Sequence, residues 1–261
     1  MHPVLTVLRI GPVERPLGSY GLMLMLALLL GGAFTVRAGH RRLGLDPALL
    51  VAAVLLAAVG GYLGGFVAFV LVELLRPGGS GLQALTHPGL VYYGAPLGGL
   101  LVLLAFRRLL GLPLLALLDV ATPALGLAHG VGRLGCFLGG CCYGRPWSGP
   151  WAVRATHPLA PAAWPPVFRH PVALYESLGL LLLALLLTLR PARRPGDGRR
   201  LALYGLLYAL LRLGTEQFRG DTVRGLFLGE RLSTSSLLSL LLLVGCALLL
   251  WTRPVREAPC R

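Results

Sequence analysis

Residues 48–75 read ALLVAAVLLAAVGGYLGGFVAFVLVELL, twenty-eight positions with one charged side chain, Glu73, near the end. At about 1.5 Å per residue a helix of this length spans ~40 Å, more than the ~30 Å hydrocarbon core of a bilayer. A helix on the surface of a soluble protein carries a polar face, and this run has none. Its solvent is therefore lipid or other apolar helices. Six further windows have the same character, near 19–36, 89–106, 113–142, 171–189, 201–218 and 235–252. The fold class expected is an all-α integral membrane protein of about seven transmembrane helices, a single transmembrane domain over residues 1–261.

Composition agrees. The 261 residues are 56% hydrophobic and 13% charged, with a mean hydropathy of +0.75. Soluble domains carry about 25% charged residues, so this chain has too little polar surface to cover a globule in water. The net charge is +14 and every basic residue is Arg. The Arg runs have almost no aromatic residues between them, which argues against a nucleic-acid partner. They suit loops that fix topology and meet anionic headgroups. Arg37, Arg41, Arg42, Arg107, Arg108, Arg190, Arg193, Arg194, Arg199, Arg200, Arg253, Arg256 and Arg261 all fall on one side if seven helices alternate. The opposite segments are longer and hold fewer. The positive side is the cytoplasm, which places the N-terminus outside and the C-terminus inside.

Gly60, Gly61, Gly64 and Gly65 interrupt the second window. Small residues on a membrane helix let a neighbour approach closely. The segment 143–169 holds six Pro and three Trp. Pro blocks regular helix and Trp favours the lipid–water boundary, so an irregular arm on the outer surface is expected there.

An ionisable group at the centre of a membrane helix costs on the order of 2.5–3.5 kcal/mol, so those that remain are candidates for function. Asp119 lies toward the inner side and reads as structural. Glu73 lies near the outer end of its helix, within snorkelling reach of the interface. The others converge on the outer third. His129, Arg133 and Cys136 lie late in the fourth helix, which runs outward to Gly144. Arg169, His170, Tyr175 and Glu176 open the fifth. Arg212, Glu216 and Arg219 close the sixth, Arg212 and Glu216 four apart on one face. Tyr20 opens the first helix and Tyr93 the third. Two Arg facing one cavity suit an anionic phosphate, because the guanidinium is a planar fork of donors.

Cys136, Cys141 and Cys142 are spaced C-x4-C-C. This departs from the usual zinc spacing, and only His129 or His170 stands near enough in sequence to complete a set. No metal and no cofactor is expected. A disulfide on the oxidising side and simple packing of small thiols both remain open.

At these same residues the chain resembles the prolipoprotein diacylglyceryl transferase family. Gly132 to Gly140 is similar to that family's Gly-Arg-x-Gly-Asn-Phe-x-x-Gly signature. Arg169 to Glu176 matches its Arg-His-Pro-x-x-Leu-Tyr-Glu segment without a break. Arg212, Glu216 and Arg219 match its Arg-x-x-x-Glu-x-x-Arg, and Tyr20 to Met23 its Tyr-Gly-Leu-Met. The motifs occur in order and span almost the whole chain. The resemblance implies an enzyme of the bacterial plasma (inner) membrane, with its active site toward the outer face. It would move the diacylglyceryl group of phosphatidylglycerol to the thiol of the lipobox Cys in a prolipoprotein signal peptide, the first step of lipoprotein maturation. Glycerol phosphate would be released. The implied catalytic set is Arg133, Arg212, Glu216, Tyr93 and His129. The implied lipid-binding set is Tyr20, Arg133, Cys136, Gly144, Arg169, His170, Tyr175, Glu176 and Arg219.

Three polar positions depart from the family pattern. Tyr93 stands where the family has His, Cys136 where it has Asn, and Tyr62 where it has Arg. The catalytic base is thereby left between His129 and Tyr93. Two further readings stand beside the transferase: a related membrane enzyme with another anionic donor or acceptor, and a non-enzymatic lipid-binding membrane protein.

Overall fold

The computed structural model describes residues 3–10, 13–75, 89, 91, 93–156, 160, 166–190, 195–220, 226–227 and 232–252, with side chains 7–17, 226, 227 and 232 not described. Among these residues the chain forms seven helices: α1 Ser19–Leu43, α2 Pro47–Leu75, α3 Gly94–Phe106, α4 Leu114–Gly139, α5 Val172–Leu189, α6 Arg199–Glu216 and α7 Thr234–Thr252. Five of them, α1, α2, α4, α5 and α7, are long and apolar enough to cross a membrane. The two exceptions have separate causes. α3 has 13 residues, roughly 20 Å of helix, and α6 carries Arg199, Arg200, Arg212 and Glu216.

The helices follow the apolar windows with local corrections. α1 continues past the window end at 36 to Leu43, so Arg37, Arg41 and Arg42 are helical rather than in a loop. Charge marks where lipid ends, but it does not stop a helix. Gly44 does, in the left-handed region at φ +66°. The all-α expectation is also incomplete. Val4–Ile10 (β1) and Val13–Gly18 (β2) pair as an antiparallel hairpin ahead of α1. Leu226–Phe227 (β3) and Leu232–Ser233 (β4) form a second, minimal pair.

The chain divides into two compact units. One comprises residues 1–31, 122–193 and 197–261, the other residues 32–121 and 194–196. In the second unit α2 packs on α3 through bare backbone. A Cβ on Gly64 would lie 2.3 Å from the Gly94 carbonyl oxygen, and one on Gly98 would lie 2.2 Å from that of Gly60. No side chain fits at Gly64 or Gly98 on this contact, as the glycine run in α2 suggested. Leu50, Ala53, Leu103, Leu112, Leu114 and Leu117 form this unit's apolar core. Asp119 is fully buried, and its Oδ2 accepts the Gly196 amide at 2.9 Å. It ties the segment ahead of α6 to α4, a structural role.

Outward-facing Leu and Val side chains stay exposed along α1, α2 and α7, among them Leu29, Leu55, Leu63, Val67, Leu241 and Leu248. Such an area far exceeds the apolar patches that water tolerates on a monomer, and lipid is the solvent it fits.

Candidate active site

The first unit gathers most of the polar groups. α4 carries His129 and Arg133 one turn apart. Arg133 Nε forms an ion pair with Glu176 Oε2 on α5 at 2.6 Å. The other oxygen of Glu176 accepts from Arg212 Nη1 on α6 at 2.7 Å. Arg212 Nη2 reaches Glu216 Oε2 one turn on, also at 2.7 Å. One carboxylate therefore holds arginines from two helices, and a second carboxylate closes the chain. All four residues are buried, Glu176 at 2% exposure. Buried ions cost several kcal/mol each unless closely paired, and here the three ion pairs are 2.6–2.7 Å long.

Hydroxyl groups complete the network. Thr215 Oγ1 donates to Glu176 Oε1 at 3.2 Å. Arg212 Nη2 donates to Ser235 Oγ at 2.8 Å, and Ser235 passes its own hydrogen to Glu216 Oε2 at 2.9 Å. Ser233 lies 2.9 Å from Ser235. Sequence reasoning missed Thr215, Ser233 and Ser235. Their signal was the run Ser-Thr-Ser-Ser at 233–236, polar hydroxyls opening an otherwise apolar helix. Tyr208 was missed as well. It lies one turn before Arg212, packs edge-on against His129 with centroids 5.1 Å apart and stacks on Tyr204.

A second layer surrounds Gly144. Its amide donates to the His170 carbonyl, and a Cβ there would lie 2.5 Å from that oxygen and 2.9 Å from the Phe218 carbonyl oxygen. Only glycine fits this sandwich. The flanking strands pair as bridges, Gly144 with Arg219, and Arg169 with Pro146 and Val153. The described part of the 143–169 arm is thus irregular but hydrogen-bonded. Its Trp164, Pro158, Pro161 and Pro165 lie outside the described residues. Arg169 is buried, donates to the Gly144 carbonyl and lies 4.6 Å over the Tyr143 ring. Arg219 is buried too, and its carbonyl accepts from Arg145 Nε at 3.2 Å. His170 stacks on Trp147 at 4.3 Å, and its Nδ1 lies 3.3 Å from the Tyr175 hydroxyl. Desolvation holds the His170 imidazole below its ordinary pKa.

α4 ends in a Schellman turn. The Gly140 amide bonds the Phe137 carbonyl and the Cys141 amide bonds the Cys136 carbonyl, with Gly140 at φ +71°. The reversal folds Cys141 and Cys142 back toward Cys136, and the three Sγ atoms lie within 4.8 Å of one another. Arg133 Nη1 donates to Cys142 Sγ at 3.7 Å. Tyr20 packs beside this helix end, where a Cβ on Gly135 would lie 3.3 Å from Tyr20 Cδ2.

The first unit therefore holds Tyr20, His129, Arg133, Cys136, Gly144, Arg169, His170, Tyr175, Glu176, Arg212, Glu216 and Arg219. Tyr93 belongs to the other unit, immediately before α3 at φ −66° and ψ −24°, with no side-chain capping bond. Tyr92 lies outside the described residues. Glu216 pairs with Arg212, and Glu176 is the carboxylate that Arg133 and Arg212 share. Arg133, Arg169, Arg212 and Arg219 against Glu176 and Glu216 leave two positive charges in excess, which suits an anionic ligand.

The family model described as prolipoprotein diacylglyceryl transferase matches residues 6–252. A phosphatidylglycerol–prolipoprotein diacylglyceryl transferase from Clostridium tetani is 32% identical over 229 residues, covering 87% of this chain and 89% of its own. One from Gloeobacter violaceus is 33% identical over 263 residues, covering 95% and 94%. A third, from Synechococcus elongatus, is 31% identical over 229 residues, covering 84% and 78%. With motifs and match both running nearly from end to end, the chain belongs to the prolipoprotein diacylglyceryl transferase family.

Proposed function

We propose that this chain transfers the diacylglyceryl group of phosphatidylglycerol to the thiol of a prolipoprotein lipobox cysteine within the signal peptide. The relatives' names carry the lipid and the protein substrate. The observation that supports it on this chain is Glu176 gripping Arg133 and Arg212 at once. Two guanidiniums from separate helices are held at one buried place by a shared carboxylate, so their positions are set before any ligand arrives.

In the reaction a C–S bond forms at the glyceryl carbon and its C–O bond to phosphate breaks. The thiol proton leaves, and glycerol phosphate departs with the electron pair. Negative charge grows on the phosphate oxygens. Arg133 and Arg212 stabilise that charge electrostatically, and fixed donors in a low-dielectric site do so without reorganising. Glu176 and Glu216 are positioning residues for the two arginines. Arg169 and Arg219 add the excess positive charge that draws an anionic headgroup. The base is His129 or Tyr93.

The topology proposed with it has seven spans in the bacterial plasma membrane, the N-terminus outside and the site in the outer third. α3 and α6 complete the count among the five long apolar helices. Two measurements test the reading. Release of glycerol phosphate should occur only when phosphatidylglycerol and a lipobox peptide are both present; release with lipid alone would make the chain a lipase instead. Membrane-impermeant labelling of single Cys introduced at Ser148 and at Arg108 should mark the first from outside and the second only after permeabilisation, and the reverse pattern would invert the topology.

A further inference from the structure

Cys141 and Cys142 have no part in the chemistry above, and Cys136 enters it only as an expected lipid contact. They are not brought together by sequence spacing, since C-x4-C-C in a continuing helix would spread them around its circumference. The Schellman turn gathers them, with Gly140 reversing the chain and the Cys141 amide returning to the Cys136 carbonyl. The three Sγ atoms then lie within 4.8 Å of one another, all partly buried. Three sulfurs bound to one ion at ~2.3 Å in a tetrahedral set stand about 3.8 Å apart, so closing the cluster on an ion needs side-chain shifts of under ~1 Å.

A second observation concerns Cys142. It is the one non-glycine residue at positive φ among the described residues, +54°. A residue with a Cβ pays of order 1 kcal/mol or more in that region, and glycine would not. Keeping a thiol there at that cost points to use of the sulfur. A third observation is the neighbour: Arg133 Nη1 lies 3.7 Å from Cys142 Sγ, a cation placed beside a cluster of sulfur ligands.

We propose that Cys136, Cys141 and Cys142 form a three-thiolate site for a thiophilic d10 metal ion of the Zn2+ class. Soft thiolates select such ions over Mg2+ or Ca2+. Three protein ligands leave the fourth tetrahedral position open to water or another soft donor. Loaded with Zn2+, the site carries one net negative charge beside Arg133. This departs from the expectation of no metal, because the spacing conceals what the helix end does to the chain. The proposal does not depend on the transferase reading.

The test uses the full chain in detergent, reduced under anaerobic conditions, with no lipid or peptide present. Cd2+ is titrated while the thiolate-to-metal charge-transfer band is followed, and Zn2+ is then measured by competition with a chromophoric chelator. One equivalent should bind. Cys141→Ser and Cys142→Gly should each weaken binding at least about tenfold. Cys246→Ser should leave it unchanged, because Cys246 packs against Gly205 between α6 and α7. Cys142→Gly keeps the test sharp, since glycine suits φ +54° and the variant should unfold no earlier than the wild type. A wild-type protein without the band, wild-type Cd2+ affinity in Cys142→Gly, or a disulfide among these thiols when membranes are quenched directly with an alkylating agent would each overturn the proposal.

Discussion

Replacing Glu176 by Gln is the sharpest single test of the site's construction. The substitution keeps shape and removes one charge from the centre of the network. Glu176 pairs with Arg133 Nε at 2.6 Å and accepts hydrogen bonds from Arg212 Nη1 at 2.7 Å and from Thr215 Oγ1 at 3.2 Å. Its carboxamide can still accept through one oxygen, but its NH2 must then face a guanidinium. Arg212 keeps Glu216 and Ser235, whereas Arg133 loses its carboxylate in a buried place. Breaking a buried pair by removing one partner costs ~3–5 kcal/mol. The lower end is expected here, because one acceptor survives. About 3 kcal/mol corresponds to a fall in Tm of roughly 6–12 °C for a chain of this size. Activity should fall further than stability explains, since an arginine displaced by ~1 Å loses on the order of 100-fold in rate. The assay is kcat/KM for lipidation of a lipobox peptide, with thermal unfolding in the same detergent. Thr215→Val is the companion, removing one neutral donor at a cost of ~1 kcal/mol and little activity. An E176Q protein with wild-type Tm and wild-type kcat/KM would refute the shared-carboxylate account.

Arg133→Lys should lose about 100- to 1,000-fold in transfer rate in the same assay, because Lys has no Nε to set against Glu176 while presenting a fork to phosphate. Gly64→Val should prevent α2 from packing on α3, since even a Cβ would lie 2.3 Å from the Gly94 carbonyl oxygen; thermal unfolding or loss of folded protein on size exclusion reads this. Gly144→Ala should abolish activity with Glu176 and Arg212 untouched, because the Cβ would meet the His170 and Phe218 carbonyls; recovery of full transfer by that variant would contradict the sandwich. Trp147→Ala should raise the His170 pKa toward ~6.5 in an NMR titration, because desolvation under its neighbours is what lowers it. The sign for stability follows: a depressed imidazole contributes above its unfolded pKa, and that contribution fades as pH falls.

Much of this was legible from composition. Among the described residues each of the seven windows holds a helix, because an apolar run of that length has one satisfactory backbone solution in lipid. Arg212 and Glu216 were readable as a pair from their spacing on one helix. What the sequence hid was long-range or terminal. Glu176 meets Arg212 across 36 positions, and nothing in a single chain reports such a meeting. The thiol cluster depends on how α4 stops, not on how its cysteines are spaced. The β1–β2 hairpin was missed because its second strand, VERPLG, has a Pro and two charges in place of an alternating pattern. α1 outran its apolar window because hydropathy measures lipid contact, whereas the backbone ends at Gly44.

The central claim is that this chain alkylates a cysteine thiol with a lipid's diacylglyceryl group at the Arg133–Glu176–Arg212 cluster. Intact mass of a lipobox peptide after incubation with purified protein and phosphatidylglycerol of defined acyl chains tests it most directly. The account predicts a gain equal to that diacylglyceryl group on the Cys peptide, none on the Cys→Ser peptide, and none with Arg133→Ala. An unchanged peptide mass, or the same gain with Arg133→Ala, would contradict it.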